Sequence, residues 1–169
     1  RHQYHHCTDI VPTIYECCGI EMPEYVNHVK QSPLPGVSMK YSFDDAKAPT
    51  QKVTQYYELL GTRGLWHQGW KVVAEHGPFS GMGHFMDDKW QLFHTDEDRA
   101  EAHDLAEQYP EKVRELVALW FNEAGKYNVL PLIDLSVEKD IQKFLELEFH
   151  IPVPPSGQYI YYPGTSEVP

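Results

Sequence analysis

The chain has 169 residues, of which 41% are hydrophobic and 23% are charged, a composition typical of a folded globular protein and not of a disordered one. Its 25 acidic and 14 basic side chains give a formal net charge of −11, which argues against nucleic acid or an anionic membrane as a partner, because both require clustered Lys and Arg. No apolar run approaches the roughly 20 residues that a membrane-spanning helix needs.

The first predicted element is a helix over residues 8–19. Thr8 or Asp9 can cap its N-terminus, and Pro12 falls within the first turn, where proline is tolerated. Gly19 is a natural stop signal. Helical spacing predicts one apolar side, formed by Ile10, Ile14, Cys17 and Cys18. The connection that follows, residues 23–52, is rich in proline and irregular, with one short strand predicted over residues 37–43.

An antiparallel meander of about four strands is predicted next. Its strands cover residues 55–60, 65–67, 70–75 and 90–94, which are rich in aromatic and β-branched side chains and are separated by glycine-containing turns. The connections are too short for crossovers, so neighbouring strands are expected to run antiparallel. Residues 76–88 form a glycine-rich, mobile loop before the last strand. The strand positions of Trp66, Trp70 and Trp90 favour a place in the core over a sugar-binding platform.

The strongest helix signal covers residues 110–125. Pro110 favours a first turn, Glu111 complements the N-terminal helix dipole, and Gly125 ends the pattern. One continuous apolar stripe predicts that this helix lies across one face of the meander; its residues are Val113, Leu116, Val117, Trp120, Phe121 and Ala124. The preceding residues, 96–104, form a charged loop that lacks the residue order of an EF-hand.

The C-terminal part gives weaker signals. A helix starting at Ser136 and reaching Glu148 is predicted, followed by a proline-rich linker over residues 151–155. Residues 159–162 form a lone aromatic strand that needs a partner. The pattern as a whole predicts the α+β class, with an antiparallel sheet of about four strands packed by a C-terminal helix.

Histidines are the main candidate site residues. His76, His84 and His94 lie in or beside the loop of residues 76–88, so they are candidates for a ligand pocket. A second group, His2, His5 and His6, has the spacing of a metal-binding pair but also fits a structural role or simple exposure. Arg63 fits either an anion site or an ion pair with Glu58 or Asp98. The residues themselves nominate no catalytic group and no metal-ligand set.

The three cysteines are predicted to be small side chains in or near a helix face. Cys17 and Cys18 are adjacent, and so short a loop strains disulfide geometry. No Cys-x-x-Cys pair is present, so neither a zinc ribbon nor a thioredoxin-like motif is indicated.

Four segments, in this order, resemble motifs of the type I sulfatases, the arylsulfatases of the alkaline-phosphatase superfamily. They are TDIVPTIYECCGI at residues 8–20, GLWHQGWK at 64–71, WQLFH at 90–94 followed by Asp98 and DLA at 104–106, and PEKV at 110–113. The resemblance covers about residues 1–135. YNVLPL at 127–132 and YYPGTSEVP at 161–169 are similar to the C-terminal part of the large bacterial arylsulfatases.

The resemblance implies that the chain is the C-terminal portion of a sulfatase whose catalytic residues precede Arg1. In the family, the nucleophile is a formylglycine made from the Cys or Ser of Cys/Ser-x-Pro-Ser/Ala-Arg, and none of Cys7, Cys17 and Cys18 has that context. A sulfate-ester substrate, a Ca²⁺ ion and the formylglycine are therefore expected in the parent protein, with no cofactor bound by this chain. The compartment is left open between the cytoplasm and the periplasm of a bacterium.

The resemblance also implies a domain organisation. Residues 1–36 correspond to the edge of an α/β catalytic domain, including its last helix, and are expected to pack on the missing N-terminal part. Residues 37–132 correspond to a sheet-plus-helix subdomain, and residues 133–169 to an extension toward a further β-rich region that would supply the partner of the lone strand. Two alternatives remain: a non-catalytic module that binds a ligand or partner, or a parent acting on phosphate or phosphonate esters.

Overall fold

A computed structural model describes residues 2–77, 85–134 and 159–161. The chain forms two compact units, Arg1–Gln55 and Tyr56–Pro169. The domain boundaries implied by the family resemblance stay a prediction. Among the described residues, no helix combines the length and apolar character needed to cross a membrane.

The first unit contains the predicted N-terminal helix. A 3-10 turn, Cys7–Asp9, leads directly into helix α1, Ile10–Cys18. Gly19 ends the helix with a φ of +64°, and the N–H groups of Gly19 and Ile20 donate to the carbonyls of Glu16 and Tyr15. This left-handed cap is the conformation that glycine adopts without steric cost, so the stop signal is confirmed.

The predicted apolar side of α1 is exposed in the described part of the chain. Ile10 and Ile14 retain 49% and 53% of their accessible surface. The three cysteines are free thiols, and all three are exposed: Cys7, Cys17 and Cys18. The helix is therefore held in its unit by the opposite side, where the Thr13 hydroxyl donates to the Asp9 carbonyl and accepts from the Met39 N–H.

Two features of the connection after α1 differ from the prediction. The strand predicted over residues 37–43 is wrong, because this segment contains the 3-10 turn Lys40–Ser42. Serine hydroxyls bond locally there: Ser38 accepts from the Lys40 N–H, and Ser42 donates to the Met39 carbonyl, which favours a turn over a sheet ladder.

A two-stranded hairpin, β1 (Tyr25–Val26) with β2 (Val29–Lys30), was not predicted from the sequence. Its turn residues Asn27 and His28 both have positive φ, at 49° and 66°. This is the backbone of a type I′ turn, for which Asn-Gly and not Asn-His is the usual sequence signal.

The second unit is built on the predicted meander, which is confirmed. Strands β3 (Thr54–Leu59), β4 (Thr62–His67), β5 (Trp70–Ala74) and β6 (Trp90–His94) form an antiparallel sheet in the order β3-β4-β5-β6. Two-residue turns join the first three strands, and in both turns each residue has positive φ: Leu60-Gly61 and Gln68-Gly69. Strand β4 begins earlier than predicted because the turn ends at Gly61, which leaves Gly64 inside the strand.

The register determines which side chains share a face of the sheet. Leu65, Val72 and Leu92 lie directly opposite one another on β4, β5 and β6, and all three are fully buried. Since side chains alternate along a strand, residues two positions away point to the same face. That face therefore also carries the row Arg63, Ala74 and Trp90 at one end and the row His67, Trp70 and His94 at the other.

Helix α2, Pro110–Lys126, packs on the sheet and confirms the predicted helix with one extra residue at its end. The Trp120 side chain is fully buried, and its indole Nε1–H donates to the Tyr57 carbonyl of β3 at 3.0 Å. The core that helix and sheet form together consists of Leu65, Val72, Phe85, Leu92, Leu116, Trp120, Ala124 and Leu132. Trp66 is buried, while Trp70 and Trp90 pack against the core from partly buried positions, as their strand positions predicted.

The charged loop after β6 covers the other face and the edge of the sheet. Thr95 accepts a hydrogen bond from the Trp66 indole at 2.9 Å, and Glu101 pairs with Lys71 at 2.6 Å. The Leu92 N–H donates to the Asp104 carboxylate, and the Leu92 carbonyl accepts from the Leu105 N–H. The loop thus satisfies backbone groups of an edge strand that would otherwise be available for further pairing.

The aromatic strand near the C-terminus has a partner within the chain. Strand β8 (Tyr159–Tyr161) pairs antiparallel with β7 (Leu132–Asp134). The prediction that a further region must supply its partner is therefore wrong; a three-residue strand directly after Pro131 is too short to predict from periodicity. The predicted helix from Ser136 to Glu148 and the linker at residues 151–155 lie outside the described residues.

Trp120→Phe tests the link between helix and sheet. The substitution keeps an aromatic ring but removes the N–H that satisfies the Tyr57 carbonyl. We expect the free energy of unfolding to fall by roughly 1–3 kcal/mol, because a part-buried hydrogen bond is lost and the core loses part of the buried indole. Urea unfolding followed by circular dichroism measures it. Tyr127→Phe is the control, because Tyr127 is 47% exposed; equal stabilities of the two variants would contradict the assigned role of the indole.

Candidate functional site

The predicted pocket histidines have different surroundings in the structure. His76 follows β5 and is buried, whereas His94 ends β6 and is partly exposed. His84 lies outside the described residues. The role of these three residues in binding a ligand stays a prediction, and the two described members can be placed by their contacts.

His76 belongs to a buried ionic cluster with Arg63 and Asp88. Arg63 is 1% exposed and His76 is 3% exposed. The Arg63 guanidinium donates through Nη2 to the Asp88 carboxylate. His76 Nδ1 lies 2.9 Å and 3.0 Å from the two oxygens of the same carboxylate. The Asp88 carboxylate therefore binds two buried side chains, the guanidinium of Arg63 on β4 and the imidazole of His76 just after β5.

The partner predicted for Arg63 was wrong, although the ion-pair role was right. Glu58 instead accepts from the Gly61 N–H at 2.8 Å, and Asp98 accepts from the His103 N–H at 2.9 Å. The reason is the register: Arg63 shares a row with Trp90, so Asp88, two residues before Trp90, is the carboxylate within reach.

Aromatic rings surround this cluster. The Phe85 ring stacks on the His76 imidazole with centroids 4.3 Å apart and an interplanar angle of 19°. The guanidinium carbon of Arg63 lies 5.3 Å from the Phe85 centroid and 5.1 Å from the Trp90 centroid. A guanidinium between two ring faces gains cation–π attraction on both sides, which helps to offset its desolvation.

The turn before β4 leaves room for the imidazole ring of His76. Gly61 has a φ of +90°, and a Cβ atom there would lie 2.6 Å from the His76 ring. The Thr62 hydroxyl accepts from the His76 N–H and donates to the His76 carbonyl. Gly61 is therefore required both by its backbone conformation and by the close approach of the imidazole. This geometry fixes where the chain leaves β5.

His94 lies at the opposite end of the same sheet face. Its ring centroid is 4.4 Å from that of Trp70, its register partner, and its Nδ1 is 3.5 Å from the Glu97 carboxylate. The row of His94 and the row of Arg63 are four residues apart along β4, or about 13 Å. The described structure thus does not bring His76 and His94 together in one site.

A histidine that the sequence did not nominate, His67, lies in the row of His94. Burial lowers the pKa of its imidazole, and the positive charge of Lys112 lowers it further, while Glu115 acts in the opposite direction. The neutral imidazole is therefore favoured at this end of the sheet. The sequence feature that could have drawn attention to His67 is its position one residue before the Gln68-Gly69 turn, opposite Trp70.

The first unit has its own buried ion pair, between Asp9 and Lys52. Asp9 is fully buried, and Lys52 Nζ donates to its Oδ1 at 2.7 Å. The same carboxylate accepts from the backbone N–H groups of Val37 at 2.9 Å and His6 at 2.8 Å. Gly36 makes this possible, because a Cβ atom there would lie 2.0 Å from the Thr8 carbonyl oxygen.

The pKa of Asp9 results from two opposing influences. Burial is the largest and raises the pKa, because it disfavours the charged carboxylate. The hydrogen bonds from Lys52, Val37 and His6, together with the charge of Lys52, outweigh it and leave the pKa below its usual value. The carboxylate is therefore ionised in the folded protein, and its role is to hold separate segments together.

The histidines near the start of the chain take part in this structure. The His6 side chain accepts from the Thr8 N–H and so caps the 3-10 turn. His5 Nδ1 lies 3.8 Å from the Asp9 carboxylate, and burial is the main cause that lowers the His5 pKa. Within the described residues, no three His, Cys, Asp or Glu side chains converge as metal ligands. The Ca²⁺ ion that the family resemblance implies was expected in the parent protein, and that expectation stays a prediction.

Comparison with known proteins adds a limited likeness. No model of a known protein family and no curated protein matches the chain. Two of the matching solved structures are sulfatase-related. One is a 6S-sulf chain described with the metabolism of glycosaminoglycans by Bacteroides thetaiotaomicron; it is 20% identical with a TM-score of 0.46, over 68% of this chain and 24% of its own. The other was solved with its substrate D-glucosamine-2-N,6-O-disulfate and is 20% identical with a TM-score of 0.46, over 72% of this chain and 24% of its own. The chain thus spans about a quarter of the length of these structures.

Asp88→Asn tests the cluster around Arg63. The substitution removes the charge that compensates a guanidinium only 1% exposed. Breaking one partner of a buried pair typically costs about 3–5 kcal/mol, and we expect a loss of that order in the free energy of unfolding. Asp87→Asn is the matched control, since Asp87 is the exposed neighbour. Similar stabilities of the two variants in urea would show that Asp88 does not hold the cluster.

A second prediction concerns how the free energy of unfolding depends on pH in the acid range. The folded pKa of Asp9 is lowered, so this carboxylate adds stability above the unfolded pKa of about 4, and that contribution is lost as pH falls toward the lower folded value. Between pH 6 and pH 3, the free energy of unfolding should fall more steeply in the wild type than in Asp9→Asn. The variant should also be less stable at pH 6, because Lys52 is left buried without its counter-charge. The exposed Asp44→Asn is the control and should follow the wild type; parallel curves for wild type and Asp9→Asn would refute the assignment.

Proposed function

We propose that this chain is the C-terminal portion of a type I sulfatase, and that the parent protein hydrolyses sulfate esters. The observation that carries the proposal is the order of four sulfatase-like segments in the sequence. In chain order, TDIVPT spans the end of the 3-10 turn and the start of helix α1, GLWHQGWK lies on the β4–β5 hairpin, WQLFH forms β6, and PEKV begins α2.

Residues of these segments have defined roles in folding, which supports the proposal. Asp9 of the first segment is the buried centre of its unit. Gly69 of the second segment allows the turn between β4 and β5, with a φ of +83°. Asp104, which follows the third segment, accepts from the Leu92 N–H and the Ala106 N–H. Each of these residues stabilises a local structure, as expected if this part of the enzyme completes the fold.

In the proposed parent, the chemistry comes from residues outside this chain. A hydrated formylglycine supplies the nucleophile in the family, and a calcium ion supplies Lewis-acid assistance. We assign neither group to the described residues: the carboxylates of Asp9 and Asp88 are committed to Lys52 and to Arg63 with His76. We therefore assign this chain a structural part in the enzyme and no catalytic residue.

The proposal predicts a clear difference between this chain and the parent protein. The isolated chain should not hydrolyse 4-nitrophenyl sulfate, with or without calcium. The parent protein should hydrolyse it, and EDTA or replacement of the Cys or Ser of a Cys/Ser-x-Pro-Ser/Ala-Arg motif by Ala should abolish turnover.

Two other outcomes would overturn the proposal. Turnover by the purified isolated chain would mean that it holds a catalytic site of its own. A parent that hydrolyses 4-nitrophenyl phosphate or a phosphonate ester but not the sulfate would place it among esterases of a different substrate class, with the same fold.

A further inference from the structure

We draw no further inference here: the strongest candidate, the exposed apolar side of helix α1 in the first compact unit, carries no proposal because nothing in the structure shows what covers it.

Discussion

The strand register of the four-stranded sheet is the constraint on which the second unit depends. Two-residue turns at Leu60-Gly61 and Gln68-Gly69, with positive φ throughout, fix how β3, β4 and β5 align. A slip of one residue would exchange the face that meets helix α2 with the face that meets the charged loop. The same register places Arg63 in the row of Trp90, which brings it within reach of Asp88. The two turns thus align β3, β4 and β5, and the β5–β6 register adds the row of Trp90 that completes the ion pair.

In the described part of each compact unit, a carboxylate with little or no exposed surface joins segments distant in sequence. Asp9 connects the start of α1 with Val37 and Lys52, and Asp88 connects β4 with the segment after β5. Buried charges of this kind cost desolvation, and they are tolerated because every one of these groups has a charged or hydrogen-bonding partner. Both clusters therefore act on the fold of their own unit.

Elements with local signals could be predicted from the sequence, and contacts between distant residues could not. The periodicity of residues 110–125 and the glycines at 19, 61 and 69 defined helix α2, the end of α1 and the sheet turns. The Asn27-His28 turn lacked the usual glycine, and the serines around Met39 turned a predicted strand into a 3-10 turn. Asp88 as the partner of Arg63 and the separation of His76 from His94 depend on register, which a pattern along one strand does not specify. The roles of His76, His84 and His94 toward a ligand stay predictions.

The proposed function requires a formylglycine nucleophile in the part of the parent protein that precedes residue 1. Peptide mass spectrometry of the parent protein, purified from its natural source, tests this most directly. We expect a peptide with the Cys/Ser-x-Pro-Ser/Ala-Arg motif upstream of residue 1, in which the Cys or Ser is converted to formylglycine. A fully mapped parent protein with no such motif, or with the motif present and its Cys or Ser unconverted, would contradict the proposed function.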